Sequence, residues 1–395
     1  MRRLAVFLCL VVSCASILTT HQRLARTMAV PSTCDGRNAD LSIVTYNTGF
    51  APNINRLARE RVLPVTAEIV REAIDDDIVA FQEVWIEEDK LVLIAALRET
   101  HPYLYAIDTR GKNEIPGDRC DAEAMTDIVA CVESNCPMDA LFACASVVCR
   151  EELKELFLYD RPCFRCLVSS IGQGSLDGIK SRCIHGAGGT KVYGGSNGVL
   201  VFSKHPLESP MAVNLPASGA NRVAILARLS LPGKQPIEFA FTHLSSNENV
   251  PPPERSIFST WEDERGEQLD IIDQELRKRA KDGAIQMIVG DLNFGGSRPP
   301  FIEAYGEHNW REALEMGFWS PAALADRPLC SFCAGNTISH WTKSVLVDGV
   351  LLRSRSDYDI EAVCVEREFT RRVQIAGLRE NLSDHVGIRT MFDLR

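Results

Sequence analysis

The 395-residue sequence has no surplus of positive charge: 43 Lys and Arg face 53 Asp and Glu, for a formal net charge of −10. That balance argues against a broad electrostatic grip on polyanions, although one local basic groove stays compatible with it. No apolar run reaches the ~20 residues that a membrane-spanning helix needs. Neither GxxxxGK[ST] nor GxGxxG occurs, so the glycine-rich GAGGTKVYGGSNG is expected to serve turns and not a phosphate-cradling loop. HExxH is missing, which removes the zincin arrangement, and so is the GxSxG elbow of a serine hydrolase. Internal repeats are absent, and the only low-complexity tract is the proline run of NVPPPERS.

Cysteine is abundant instead, with 14 residues. Arg2 and Arg3 precede LAVFLCLVVSCASIL, and Ser13-Cys14-Ala15 offers a small-x-small cleavage pattern. Residues 1–15 therefore read as a secretory signal peptide, followed by a polar linker over 16–38. Two alternatives stay open: a retained signal anchor, or a lipoprotein signal that would anchor the chain at a cell envelope through Cys14. Removing Cys9 and Cys14 leaves an even number, eight of them crowded between Cys120 and Cys183. In an oxidising compartment this is a disulfide framework, with a pairing that spacing does not reveal. The C-x-x-C pairs Cys163/Cys166 and Cys330/Cys333 also allow a four-thiolate zinc site; their wide separation and the expected export favour disulfides.

From about residue 39 the chain alternates strand and helix. LSIVTYN, DIVAFQEVW, YLYAID, VLVFSK, RVAILARLSL, IEFAFTHL, AIQMIVGDLNF, SVLVDGVLLR and DIEAVCVERE have strand character. NINRLARERVLPVTAEIVREAI, EEDKLVLIAALRET and DERGEQLDIIDQELRKRAK have helical periodicity, with a break or restart expected at Pro64. This order predicts an α/β or layered α+β fold, a single domain over 39–395. A cysteine-rich stretch, about 117–186, interrupts the rhythm with the helical segments DAEAMTDIVACVES and MDALFACASVVCREELKELFLY. It is either a lid that engages substrate or a stabilising decoration, and the second is favoured.

Several strands end on conspicuous polar groups: Asn47 in TYN, Glu83 in FQE, His243 in THL, Asp291 and Asn293 in GDLN, and Asp348 in VLVDG. SDH adds Asp384 and His385 just before an apolar stretch. One such ending is an ordinary turn, but several together point to a site built where strand ends meet. Alternation would put Asp291 and Asn293 on one face. Carboxylate and amide oxygens suit a hard cation such as Mg²⁺, with Mn²⁺ or Ca²⁺ as alternatives. Together with two histidines and spare carboxylates, they fit metal-assisted hydrolysis of a phosphate ester.

In this order and at these strand ends, TYN, FQE, THL, GDLN and SDH resemble the endonuclease/exonuclease/phosphatase superfamily over Thr45 to His385. The resemblance implies a four-layer α-β-β-α sandwich of two packed sheets. It implies that Glu83 is the principal metal ligand, with Asn47 and Asp384 near metal and phosphate. Asp291 and Asn293 would orient the attacking water and the phosphoryl group. His385 would take the water's proton while Asp348 holds its ring, and His243 would face the leaving group or stabilise the transition state. Gly349 departs from the pattern, since the family places an aromatic residue or His after this Asp.

SNGVLVFSKHPL resembles neutral and secreted sphingomyelinases, whereas Gly49 after Thr48 departs from the abasic-site endonucleases. A secreted sphingomyelinase C-like enzyme is thus the leading expectation, a monomer acting on a membrane sphingolipid with peripheral membrane contact. A secreted deoxyribonuclease acting on DNA is the alternative, and a non-catalytic binding or toxin-like module the second. Arg222, Lys204, Arg298 and Arg389 either line a phosphate path or are scattered charge. Phe258, Trp261, Phe318 and Trp319 either touch a bilayer or pack in the core. His101, His185, His205, His308 and His340 have no motif around them.

Overall fold

Alternation along the strands decides the architecture. β1 (Leu41–Asn47) sends Leu41 and Ile43 to one side and Val44 and Tyr46 to the other. The first side packs against a second sheet and the other against helices. The structure, a computed structural model, describes residues 29–109, 119–123, 125–137, 141–172, 175–185, 191–247, 258–339, 341–355 and 359–395. The expected leader at 1–15, the linker up to residue 28, the whole NVPPPERS loop and His340 lie outside the described residues.

One sheet has six strands in the order β10 (Ile360–Glu368), β13 (Gly387–Leu394), β1, β2 (Ile78–Gln82), β4 (Leu200–Ser203) and β3 (Tyr103–Ala106). The other has five: β5 (Glu208–Leu215), β6 (Arg222–Leu229), β7 (Ile237–His243), β8 (Ile285–Asp291) and β9 (Asp348–Arg353). A separate ribbon pairs β11 (Val373–Ile375) with β12 (Leu378–Glu380). Each large sheet contains one parallel pair, β1–β2 and β7–β8. A parallel pair needs a crossover, and α1 (Ala58–Ala73) and α8 (Trp261–Arg279) supply the two. α8 opens on a capping box between Thr260 and Asp263.

α1 and α2 (Glu87–Leu97) cover the first sheet through Val62, Val65, Ile69, Leu93 and Leu97. α8 and α9 (Glu307–Glu315) cover the second through Leu269, Ile272, Leu276 and Ala313. Between the sheets Ile43, Ala80 and Val201 meet Ile225, Phe239, Phe241, Met287 and Val289. The four layers are helix, sheet, sheet, helix.

Two local expectations are corrected. α1 runs unbroken through Pro64. The ring removes the donor that would have served the Glu60 carbonyl, and Glu60 is exposed, so that carbonyl is open to solvent instead. The expected helical segment from 138 to 159 holds two helices among its described residues, α4 (Leu141–Val148) and α5 (Arg150–Tyr159), parted at Cys149. With α3 (Thr126–Asn135), α6 (Arg161–Ser169) and α7 (Leu176–His185), they form the insertion between β3 and β4.

Disulfides Cys120–Cys163, Cys131–Cys149, Cys136–Cys144 and Cys166–Cys183 staple these helices around a core of their own. Cys34–Cys364 ties the N-terminal segment to β10, and Cys330–Cys333 closes a short loop. The two C-x-x-C pairs therefore have separate disulfide partners, which rules out a zinc site shared between them.

On the outer side of the first sheet, Arg389 of β13 bonds Asp76 at 2.9 Å and Glu366 at 2.9 Å, and also Glu368. Burial, then the neighbouring Glu366, Glu72 and Asp76, push the Glu368 carboxyl up to about 8 against the pull of Arg389. A carboxyl raised in the folded state contributes stability that is fully present below its ordinary 4.5 and is lost as pH rises through about 8. Glu368→Gln keeps an acceptor for Arg389 and removes the proton linkage. Its unfolding midpoint relative to the native chain is expected to rise between pH 5 and pH 9; a difference that does not change with pH would contradict the shared proton.

Candidate active site

Strand register brings the polar ends together. Asp291 pairs with His243 across β7–β8 and with Asp348 across β8–β9. All three prolong the face on which Phe241, Val289 and Val350 enter the core between the sheets. They emerge at the rim of that core. From the other sheet Asn47, the last residue of β1, prolongs the face of Leu41 and Ile43 to meet them.

Asn47 joins the two halves. Its Nδ2 donates to Asp291 Oδ2 at 2.9 Å and to Glu83 Oε1 at 3.2 Å, while Oδ1 accepts the Gly49 N–H at 3.0 Å. His385, just ahead of β13, has Nδ1 2.7 Å from Asp348 Oδ2 and Nε2 3.9 Å from Asp291 Oδ2. His243 Nε2 lies 3.5 Å from the same Asp291 oxygen. Asp384 sits to one side, where its Oδ1 accepts from Asn55 Nδ2 at 3.2 Å and Ser383 Oγ at 3.0 Å.

The local chain explains why GDLN ends this strand. A Cβ at Gly290 would stand 1.9 Å from the Thr242 carbonyl oxygen, so only glycine lets β7 and β8 close up beside the site. Strand alternation stops at Asp291 and does not place Asn293. Asn293 has φ 52, and its N–H donates to Asp291 Oδ1 at 3.0 Å, an Asx turn that asparagine tolerates in left-handed backbone. Its Nδ2 donates to the Leu244 carbonyl at 3.0 Å, tying it to the loop after His243. Gly349, the departure noted in sequence, leaves the His385–Asp348 bond intact.

Electrostatics separate the two histidines. Burial alone would lower His385, but Asp348, then Asp291 and Asp384, outweigh it and hold the ring well above its usual value. Burial, then Arg222 and His385, hold His243 well below the usual value, as a neutral ring. Its Nδ1 is buried with no hydrogen-bond partner. Burial, then Asp348 and Glu83, push Asp291 up to about 7 against His385 and Asn47. Glu83 is raised by burial and by Asp384. Groups driven apart in this way are the raw material of acid–base chemistry.

Two sets of donors bear on a metal. Asp291, Asp348 and His385 offer ligand atoms within 4.8 Å of one another, but Asp348 Oδ2 is engaged with the His385 ring. Glu83 and Asp384 crowd as like charges, and with Asn47 they offer only oxygen atoms. That repulsion and that donor chemistry fit a hard divalent cation better.

The wall of the site was largely illegible in the sequence. Trp85, two residues past Glu83, stacks on Tyr193 with ring centres 5.0 Å apart, and the Arg222 guanidinium lies 5.8 Å from the Trp85 ring centre. His243 is 6.1 Å from Trp85. A Cβ at Gly198 would come within 2.9 Å of the Trp85 ring, so the glycine-rich turn makes room for the wall as well as turning. Of the basic candidates, Arg222 acts on the site. Lys204 lies at the opposite end of β4, Arg298 bonds the Ala325 carbonyl, and Arg389 serves the acidic cluster. Phe318 is buried and Trp319 packs at the edge of the inter-sheet core. His101, His205 and His308 bond Asp76, Asp77 and Glu312 away from the site.

Two packed sheets with a polar centre at one rim define a layered α/β sandwich with its candidate site where the strand ends meet. A family model described as the Endonuclease/Exonuclease/phosphatase family matches residues 44–385, and the chain belongs to that family. In fold it is similar to sphingomyelinase C from Streptomyces griseocarneus, at 17% identity over 90% of this chain and 99% of that one, with a TM-score of 0.52. It is also similar to a beta toxin from Staphylococcus aureus, at 13% identity over 89% and 99% of the two chains, with a TM-score of 0.50. No curated protein matches the sequence.

The charge states lead to a spectroscopic prediction. In an NMR titration His385 should titrate well above the free-histidine range and His243 well below it. Asp348→Asn removes the carboxylate that favours the imidazolium, so the His385 midpoint should fall. A midpoint that stays in place would contradict the pairing.

Proposed function

We propose that the chain is an exported, divalent-metal-assisted phosphodiesterase, leaning to sphingomyelinase C-like release of a phosphorylated head group. The observation that carries this reading is the meeting of the His385–Asp348 pair, Asp291, Asn47 and Glu83 across the two sheets. The activities in the family's description all cleave phosphate esters, which supports the reaction class. The sphingomyelinase lean rests on SNGVLVFSKHPL and on a fold similar to a sphingomyelinase C.

In this reading Glu83, with Asn47 and Asp384, holds the cation, Mg²⁺ being the leading choice and Mn²⁺ or Ca²⁺ the alternatives. Bound there, it supplies Lewis-acid stabilisation of phosphoryl charge. His385 Nε2 takes the proton of a water that Asp291 orients, and Asp348 steadies the imidazolium that results. The water oxygen bonds to phosphorus as the opposite P–O bond breaks. Asn293 Nδ2 keeps a second N–H for a phosphoryl oxygen, while Asn47, with both amide N–H groups engaged, stands beside metal and phosphate. His243, held neutral, serves as a hydrogen-bond donor near the leaving oxygen and not as a proton donor. Turnover should accordingly rise with pH through the raised His385 midpoint.

Disulfides throughout the described residues support export into an oxidising compartment. Among the described residues no helix is long and apolar enough to cross a membrane. The lipid-anchor alternative at Cys14 has no support of its own.

His385→Ala and Asp291→Ala should each lower kcat by about 10²–10⁴-fold with the fold retained. EDTA should abolish turnover, and Mg²⁺ should restore it. Sphingomyelin, phosphatidylcholine and DNA assayed side by side decide the substrate. Turnover of DNA alone would favour the deoxyribonuclease. No turnover of any of the three, with or without Mg²⁺, would leave only a non-catalytic role.

A further inference from the structure

A small loop outside the reacting cluster braces it from behind. Between α9 and β9 the tetrapeptide Cys330-Ser331-Phe332-Cys333 is closed by a disulfide between its ends. Ser331 is fully buried, and its Oγ accepts from the backbone N–H groups of Val347 at 2.9 Å and Asp348 at 3.0 Å. Its carbonyl accepts from the Val386 N–H at 2.8 Å, one residue past His385. Phe332 bridges to both Val345 and His385, and its ring meets the His385 imidazole edge-on at 4.8 Å. One tetrapeptide therefore touches both members of the His385–Asp348 pair, which belong to different sheets.

The disulfide that closes this loop spans a sequence separation of 3, against 330 for Cys34–Cys364. In the chain-entropy picture, stabilisation grows with the length of loop closed, so the short bridge adds little to global stability. Its effect is local, and the locality it stiffens is the back of the site.

We propose that Ser331 is a positioning residue for the His385–Asp348 pair and that the Cys330–Cys333 disulfide is a redox-addressable brace, whose reduction slows turnover without unfolding the chain. This rests on the reading of that pair as the proton-accepting centre. Cys333 is half-buried, open to a small thiol. Arg367 places a guanidinium nitrogen 3.5 Å from Cys330 Sγ and 3.9 Å from Cys333 Sγ, where it favours a departing thiolate. A dithiol supplies both electrons. Its thiolate attacks Cys333 Sγ, the disulfide breaks, and Cys330 leaves as a thiolate beside Arg367. The second thiol of the reagent then displaces Cys333 and closes an oxidised cyclic disulfide, and two protons complete the two cysteine thiols.

The experiment uses the full chain with five disulfides left in place. Cys330→Ser/Cys333→Ser and Ser331→Ala are compared with the native protein and with Cys136→Ser/Cys144→Ser, a control in the insertion. Dithiothreitol titration with alkylation and mass mapping follows which bridge opens first. For the loop variants kcat should fall about tenfold while KM stays within about twofold, the signature of a misplaced reacting group. Their unfolding midpoints should stay near native, and amide exchange should quicken at Asp348 and Val386. The control should match the native chain in rate and at both amides, and loss of native activity should track opening of Cys330–Cys333. Should Ser331→Ala fail to fold, the double serine variant decides.

An unchanged kcat in that variant, or exchange at Asp348 and Val386 that matches the native chain, would overturn the brace. If the native chain turns over none of the diesters, the functional reading fails, and exchange at the two amides still decides whether the loop holds the pair in place.

Discussion

The arrangement depends on keeping several acids side by side in a dry rim. Asp291, Asp348 and Glu83, with Asp384 beside them, gather where two sheets end, and burial raises the energy of the ionised forms of Asp291 and Glu83. Uncompensated, they would repel one another and pry the sheets apart. Asn47 is the neutral element that makes the cluster tolerable, because one amide donates to Asp291 from the opposite sheet and to Glu83 beside it. His385 is the titrating element, its ring set between Asp348 and Asp291, whose charges favour the imidazolium. An interaction that spans two sheets works only if both are held in fixed register, and much of the remaining structure serves that end.

Buried arginines do the holding, one in each half. Arg61 on α1 is fully buried and donates to the carbonyls of Thr48 and Leu382 at 2.9 and 2.7 Å, and also to that of Gly49. It thereby fastens the loop after β1 to the segment that carries Asp384 and His385. Arg265 on α8 is equally buried and donates to the Ser245 carbonyl, Asn247 Oδ1 and Asn309 Oδ1 at 2.8–2.9 Å. It fastens the loop after β7, on which His243 ends. Both arginines sit on the helix that crosses over a parallel strand pair, so the two halves solve the same problem in the same way. A planar cation with five donors suits the task, since each guanidinium gathers several acceptors, backbone or side-chain, that burial would otherwise leave unpaired.

What the sequence disclosed follows from what local chemistry can encode. Period-two alternation and abrupt polar endings located Asn47, His243, Asp291 and Asp348, because the same alternation that builds the core aims its last residue at the rim. Glu83 was marked by the same kind of ending, and SDH ahead of an apolar stretch added Asp384 and His385. Alternation does not account for Asn293, whose position comes from left-handed backbone and an Asx bond. Ser331 and Arg61 stayed hidden, because their partners lie 16–17 and up to 321 residues away and no periodicity records such bonds. α6 and α7 were missed as well. They are short, and their order depends on Cys120–Cys163 and Cys166–Cys183, a pairing that composition does not contain.

The insertion is the remaining element to place, and its contacts join it to the site. Phe142 N–H donates to the Asn53 carbonyl at 2.9 Å and Gly172 N–H to Asn53 Oδ1 at 3.3 Å. These bonds fall on the loop that follows Asn47, between that residue and α1. Ile171 and Val168 of the insertion also pack in the apolar cluster that contains Trp85 and Tyr193. A decoration that served stability alone would have no reason to meet the chain at the segment leaving Asn47 and at the ring beside His243. The helices keep a core and disulfides of their own, so they can press on that wall as a rigid body. The insertion thus adjoins the aromatic wall through Phe142, Val168 and Ile171 as well as keeping a core of its own.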